Sequence, residues 1–456
     1  MTVTAEIARF AAGLRFEDLD PATVREAKRF LLDTLGCALG GLGARDVRIA
    51  RAALGPLAGP GAATLVGTGA RVDPLTAALL NALAVRVLDY NDVYWQQDPS
   101  HPSDLIPGAL ACAEHAGRRG ADLVVGIVLG HELEMRLCEA AVPGLRERGW
   151  HHATLTAFAA PVAAGRMLGL DAGALQHAMG IAGSCSATLG AVTAGALTMM
   201  KNTADPLAVQ AGVRAALLAQ AGTTGPAHVL DGKEGLTQVL GPAWRLAALT
   251  DGLGRDWRIR RCGMKAFPTE ALTHAPISAV LDLVTAHDLA PEQIAKVHVR
   301  SLARAADILA DPSKYDPRSK ETADHSLPYV LAAAIVDRQV TPAQLTDAKI
   351  GDPRIRAQLR KVEVVADPAI EQDFPRLQRV VVTITTTDGA EHTRALDYPK
   401  GDPRNPLTDA EIERKLDALA APVLSEAARR RLVDAVWHLE ELGSVAQLMA
   451  LTKQDL

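Results

Sequence analysis

The first half of this chain is a series of alanine-rich runs, and several of them are apolar on nearly every face. Asp20-Pro21 opens one run with apolar positions at Val24, Ala27, Phe30, Leu31, Leu35 and Ala38, the spacing of a helix face, and Gly40-Gly41 ends it. Further helices are expected over residues 74–88, 105–116, 120–141, 172–182 (capped by Asp171) and 206–221. Alanine favours helix and permits close helix–helix approach. A helix with no polar face has to be covered, so these segments belong inside a large bundle or at a subunit contact. Residues 178–200 are uncharged and about as long as a membrane span, but they are mostly Gly, Ala, Ser and Thr. That weak hydrophobicity suits a buried helix followed by a small-residue loop.

Near Arg258 the period changes. Lys296-Val297-His298-Val299-Arg300 and residues 362–365 alternate as half-buried strands do, and residues 379–387 and 390–396 flank Asp388-Gly389 as a hairpin. Helical runs over 274–287 and 329–337 lie between these strands. Residues 398–406 are turn-rich, and Thr408-Asp409-Ala410-Glu411 is a capping box that starts a charged helical tail. The expected fold is mainly α. It has a large all-helical domain over 1–263, a smaller α+β lid domain over 264–404, and C-terminal helices over 405–456 that return to the helical domain.

A net charge of -5 and a pI near 6.2 leave no basic face for nucleic acid or an anionic membrane. Cys37, Cys112, Cys138, Cys185 and Cys262 are scattered, with no C-x-x-C pair. That excludes a zinc ribbon and iron–sulfur spacing, and it suits reduced core thiols in the cytosol. Residues 1–20 lack the basic start and apolar core of a signal peptide, so a cytoplasmic protein is expected.

Chemistry concentrates in residues 88–104, where Asp89, Asp92, His101, Ser103 and Asp104 lie with Tyr90, Tyr94 and Trp95 in a chain only 4% aromatic. Asp89 ends a helical run, where an acid opposes the helix dipole and needs another reason to be there. His101-Pro102-Ser103-Asp104 reads as a helix start capped by Ser or Asp, with free N–H groups for an anion. A capped interhelical turn with one surface histidine would use the same residues. His151 and His152 precede a long neutral helix. Adjacent residues face different ways, so at most one of them is expected in a site, and both could simply cap the helix.

Lys201 interrupts a neutral stretch, and a buried ammonium is costly unless an anion meets it or the side chain snorkels out. Lys265 and His274 fall at the seam between the two patterns, where pockets tend to form, although Lys265 would serve equally as a surface linker lysine. In Asp324-His325-Ser326-Leu327-Pro328-Tyr329, Asp324 or Ser326 could cap a helix while Tyr329 has a separate role. Asp89, Asp92 and His101 could bind a divalent ion, but Lys201 and Lys265 would do the same work on a carboxylate. No metal ligand set is assigned. Gly40-Gly41-Leu42-Gly43 follows a helix, so it is no phosphate loop, and Ser184, Ser186 and Thr188 lack nucleophile-elbow spacing.

Five pieces, taken in order, resemble the 2-methylcitrate dehydratase (MmgE/PrpD) family, which includes cis-aconitate decarboxylase and iminodisuccinate epimerase. They are Leu32-Asp33-Thr34-Leu35-Gly36-Cys37-Ala38-Leu39-Gly40-Gly41, Asp89-Tyr90-Asn91-Asp92 with His101-Pro102-Ser103-Asp104, the Lys201 segment, Lys265-Ala266-Phe267-Pro268, and Asp324 to Tyr329. The resemblance covers nearly the whole chain. It implies a homodimer, an active site between the two domains, a small carboxylate substrate, and no metal or organic cofactor. It implies a catalytic set of Asp89, His101, His152, Lys201, Lys265 and Tyr329, with Asp92, Ser103, His151 and His274 binding substrate. The distance to Gly169-Leu170 favours His152 over His151. Val93 stands where many members have threonine, and Pro328 replaces a glutamine of some branches. The Asp89–His101 spacing resembles the dehydratase branch.

These groups suit removal of a proton alpha to a carboxylate. Lys201 and Lys265 would stabilise the charge that builds on the oxygens. His152 and His101 would transfer protons, in an order the sequence leaves open. Asp89 would orient a partner or donate to the leaving group, and Tyr329 would bind a carboxylate or assist proton transfer. The expected activity is cofactor-independent dehydration of a citrate-like polycarboxylate. Epimerisation or decarboxylation of a related acid would use the same parts. An inactive helical dimer serving as a scaffold would have no use for the intact set.

Overall fold

A computed structural model describes residues 2–455 except 96–97, 195–196, 242 and 375. Gln96 and Gln97 of the 88–104 loop, and Gly195 and Ala196 of the neutral stretch, therefore lie outside the described residues. Helices hold 58% of the residues and strands 10%, so the fold is mainly α. The chain divides into two compact units, Met1–Cys262 with Thr408–Leu456, and Gly263–Leu407.

The first unit is built on α1 (Pro21–Gly41), α2 (Pro74–Arg86), α3 (Gly120–Ala140), α4 (Ala153–Leu168) and α5 (Met200–Gln220). Asp20 caps α1 by accepting the Thr23 N–H, and Asp73 caps α2 through Thr76. Every residue of α2 from Ala77 to Arg86 is buried, because α1, the helix Ile106–His115 and α5 all pack on it. Each fully buried leucine there, such as Leu80 or Leu83, contributes roughly 1.5–3 kcal/mol. α4 runs along α5 so closely that a Cβ on Gly212 would collide with Ala160, which is where the small residues are needed. Between α2 and α3, β1 (Asp92–Trp95) pairs antiparallel with β2 (Pro99–Ser100). The C-terminal helix Asp409–Ala420, capped by Thr408 and Glu411, packs on α1.

Two expectations need correction here, the start of α5 and the burial of Cys185. α5 starts at Met200 rather than 206, with Pro206 inside it. The proline removes one backbone hydrogen bond, but Ala204, Ala208 and Val209 are buried on either side and packing carries the helix through. Lys201 therefore sits on a helix. Residues 178–183 end a helix with Ala178, Met179, Gly180 and Ala182 buried, and 184–194 follow as the expected small-residue loop, exposed or half-buried; on it Cys185 is exposed while the other four cysteines are core thiols. A loop of small residues carries too little apolar area to draw it inside. Among the described residues no helix is long and apolar enough to cross a membrane.

In the second unit four strands form one sheet in the order β4-β3-β5-β6: β3 (Ile294–Ser301), β4 (Val362–Ala366), β5 (Val380–Thr386) and β6 (Glu391–Leu396). β3 and β4 run parallel, and the other pairs are antiparallel. β5 and β6 form the hairpin across Asp388-Gly389, where Gly389 takes φ +90°. Val380, Val382 and Ile384 alternate inward along β5. The helices His274–Ala286 and α6 (Leu327–Asp337) pack against the sheet, and Ser326 caps α6 by accepting the Tyr329 N–H.

Candidate active site

α2 ends by placing Arg86 and Asp89 together. Asp89 adopts a left-handed backbone at φ +51°, a strain of order 1–3 kcal/mol for a residue with a Cβ. Its carboxylate receives two cations. Arg86 Nη1 donates to Oδ1 at 2.5 Å, and Lys201 Nζ, from the first turn of α5, lies 3.0 Å from Oδ2. The acid at the end of the helix thus has its reason, and the buried ammonium has its anion.

Arg86 is the hub. Its Nη2 lies 3.1 Å from His101 Nε2, and its Nε lies 3.6 Å from Asp104 and 3.8 Å from Asp205. Burial works against the guanidinium charge, but Asp89, Asp104 and Asp205 more than offset it and hold the group as a cation. His101 Nδ1 lies 2.6 Å from the Asp92 carbonyl. A carbonyl only accepts and a guanidinium only donates, so Nδ1 carries the hydrogen and Nε2 the lone pair. These two contacts assign His101 as a neutral ring.

Ser103 and Asp104 do not cap the next helix, contrary to the expectation. His101 holds the N-cap position before the turn Pro102–Leu105, with no side-chain cap bond. Asp92 takes Ser103 instead, accepting its N–H at 2.8 Å and its hydroxyl at 2.7 Å, and the Cys262 thiol at 3.4 Å. The Asn91 amide donates to Ser103 Oγ and to Asp104, each at 3.0 Å. These buried partners outcompete a capping role. Burial pushes the Asp104 carboxyl well up, and Asp205, Asp92 and Glu134 add to that against Arg86.

The rings of His151 and His152 lie together at this cluster, although adjacent residues were expected to face different ways. They lie in the turn before α4, where the angular step of a helix does not apply. Their rings are 4.0 Å apart, and His152 is 5.3 Å from His101. His151 Nδ1 accepts the Ala153 N–H at 3.2 Å, so the capping reading holds for that residue. His152 Nε2 meets Asp205 Oδ2 at 3.2 Å. Burial alone would raise the Asp205 carboxyl, but His152, through the attraction of its protonated form and the N–H that Asp205 accepts, holds it far below the usual range, with His151 and Arg86 adding to that. Burial pushes His151 well down, and the neighbouring His152 adds to that. Thr156 Oγ1 lies 3.1 Å from Glu134 Oε1 and 3.3 Å from Asp205 Oδ1, and Ser100 also donates to Glu134. Burial pushes Glu134 up to about 8, with Asp205 and Asp92 adding to it against Ser100 and Thr156.

Ligand atoms of His151, His152 and Asp205 lie within 4.8 Å of one another, a separation a divalent cation could use. In the same set His152 Nε2 is hydrogen-bonded to Asp205, and His151 Nδ1 accepts the Ala153 N–H.

The first unit thus brings together Asp89, His101, His151, His152 and Lys201, with Asp92 and Ser103 braced behind His101. Lys265, His274 and Tyr329 belong to the second unit. There Lys265 Nζ donates to the Thr269 carbonyl at 3.0 Å, and His274 Nε2 donates to the same oxygen at 3.2 Å. Tyr329 is fully buried and its hydroxyl donates to the Gln344 carbonyl at 2.5 Å. Burial, with Asp337 and Asp352, pushes that phenol up.

Sequence reasoning missed Arg86, Glu134 and Asp205. Arg86 is the single charge of an otherwise apolar helix, and Asp205 stands four residues after Lys201, on the same helix face. That spacing was an available signal.

The profile of the MmgE/PrpD N-terminal domain matches residues 5–247, and that of the MmgE/PrpD C-terminal domain matches residues 267–439. The cis-aconitate decarboxylase of Aspergillus terreus (strain NIH 2624 / FGSC A1156) is 26% identical over 98% of this chain and 95% of its own. The Homo sapiens cis-aconitate decarboxylase is 28% identical over 99% and 95%. The 2-methylcitrate dehydratase of Cupriavidus necator is 28% identical over 86% and 84%. With profiles spanning both halves of its sequence, the chain belongs to the MmgE/PrpD family.

Proposed function

We propose that this chain is a hydro-lyase that dehydrates a citrate-like polycarboxylate of the 2-methylcitrate type, starting with removal of a proton alpha to a carboxylate. The observation that carries the reading is Lys201, a buried ammonium held at 3.0 Å on Asp89, which Arg86 in turn links to His101. Removal of the proton puts negative charge on the substrate carboxylate, and a fixed ammonium in a low-dielectric setting favours that charge as it forms. Asp89, itself between Arg86 and Lys201, serves as the ionised anchor that orients Lys201. One histidine of the pair His101 and His152 takes the carbon-bound proton. The imidazolium so formed returns it to the departing hydroxide, which leaves as water, and the electron pair of the C–H bond becomes the second bond of the alkene.

A second reading is decarboxylation of a related unsaturated acid such as cis-aconitate. It is favoured by coverage, because the decarboxylase relatives match 98–99% of the chain and the Cupriavidus dehydratase 86%. Proton NMR in deuterated water separates the readings, with 2-methylcitrate, citrate and cis-aconitate as substrates and EDTA present. A new vinyl signal from a hydroxy acid supports dehydration. Loss of carbon dioxide from cis-aconitate moves the assignment to decarboxylation. Exchange alpha to a carboxylate without elimination points to epimerisation. No change with any of these acids sinks all three.

A further inference from the structure

We propose that Asp205 is a positioning residue that makes His152, and not His101, the histidine that takes the substrate's proton. The proposal rests on the reaction class above and adds a residue and a role to it.

Both histidines are buried with ring centroids 5.3 Å apart, yet their hydrogen bonds run in opposite senses. His101 donates Nδ1–H to the Asp92 carbonyl and turns its lone pair to Arg86 Nη2 at 3.1 Å. A proton arriving at Nε2 would set an imidazolium against a guanidinium with no hydrogen bond left between them. His152 has the reverse arrangement. Its Nε2 faces the Asp205 carboxylate at 3.2 Å, and a carboxylate only accepts, so the neutral ring carries its hydrogen there and its lone pair on Nδ1. Among the described residues Nδ1 of His152 has no hydrogen-bond partner. Once protonated at Nδ1, the imidazolium keeps an anion at its back, as a base that must carry charge requires.

Asp205 is itself held in place. Its Oδ1 lies 3.3 Å from the Thr156 hydroxyl, and its Oδ2 lies 3.8 Å from Arg86 Nε. Among the described residues, the titratable and charged groups gathered at the His151–His152 pair are His101 from the 88–104 loop, Arg86 from α2, Arg146 from the turn before α4 and Asp205 from α5. Of these only Asp205 is negative.

Asp205→Asn keeps the shape and removes the charge. We expect kcat to fall about 100-fold or more while KM moves less than about threefold, as for loss of the orienting carboxylate in other acid–histidine pairs. The acid limb of kcat/KM against pH should move down by about one pH unit or more, because the carboxylate that favours the imidazolium is gone. Asp205→Glu should recover about tenfold of the loss. His101→Gln should slow the reaction and leave the acid limb where it was. Nitrogen-15 NMR of histidine-labelled protein needs no substrate. It should show a Nε2–H ring for His152 that changes in Asp205→Asn, and a Nδ1–H ring for His101 that does not.

An unmoved acid limb in Asp205→Asn overturns the proposal, as does a limb that moves with His101→Gln instead. So does a His152 ring protonated at Nδ1 alone. If the wild-type protein turns over none of the acids tested, the reaction class fails with that result. The nitrogen spectra then decide the His152–Asp205 arrangement independently.

Discussion

Two buried charge sites lie in the same helical unit and behave differently. At the C-terminal helix, Lys415 meets Asp33 of α1 at 2.6 Å, donates to the Tyr90 carbonyl at 2.5 Å and sits 3.9 Å from the Tyr90 ring centroid. One cation faces one acid. Burial pushes Asp33 up in spite of Lys415, while Asp33 holds Lys415 up in spite of burial. Desolvation of both groups works against their attraction, so the pair is expected to fix where the tail helix docks more than to add stability. Around Arg86 the charges are more crowded. Arg86 and Lys201 face Asp89, Asp104 and Asp205, with Glu134 and three histidines beside them. Burial pushes two of these carboxyls up, Asp104 and Glu134, the latter to about 8, so Glu134 gains and loses its proton near neutral pH. The pair at Lys415 ties two helices together, and the crowded cluster keeps a carboxyl that can exchange a proton.

The comparison breaks most directly at Lys415. Lys415→Met leaves Asp33 buried without its cation and should cost ~3–5 kcal/mol in urea unfolding. Asp33→Leu with Lys415→Met should recover more than half of that, and a double variant as weak as the single would show that the pair is not the unit of stability. Lys201→Met should do the opposite. It should lower kcat/KM by ~10²–10³-fold with a stability change under ~2 kcal/mol, because the remaining acids can take up a proton in its place. Equal losses of stability at both lysines would erase the distinction.

Glu134 sharpens the point through pH. Its folded-state carboxyl is pushed up to about 8 by burial, above the ordinary value of ~4.3 in an unfolded chain. Between those values the folded protein holds a proton that the unfolded chain lacks, so this contribution is lost as pH rises toward about 8. Glu134→Gln cannot titrate. Its stability relative to wild type should therefore rise by ~2–4 kcal/mol between pH ~5 and ~9, and a pH-independent difference would count against a protonated Glu134. The smallest effect is expected at Tyr329. Tyr329→Phe removes one hydrogen bond to a carbonyl and should cost ~1 kcal/mol of stability with kcat/KM within about threefold. A 100-fold loss of activity would return that hydroxyl to the chemistry.

Much of the fold was legible in short windows of sequence. Asp20, Asp171 and Thr408 cap the helices they were expected to cap, and Asp388-Gly389 turns the hairpin. Those features depend on backbone groups three or four residues away. The start of α5 was misread because Pro206 looks like a boundary, and only burial on both sides of it keeps the helix going. At the site, Asp89 and Lys201 stood out singly as charges in costly places, but their pairing spans 112 residues and leaves no local trace. His151 and His152 were read by a helical rule in a segment that is not yet helix.

What the sequence determined by itself is a helical first half, a strand-bearing insert and a helical tail, because period, capping and turn chemistry are local. Tertiary structure alone decided which charges meet. It set Arg86 against His101 and Asp205 against His152, and so gave two similar imidazoles opposite hydrogen-bond senses. A ring's protonation depends on the partner at each nitrogen, and those partners arrive from α2, α5 and a loop carbonyl far away in the chain.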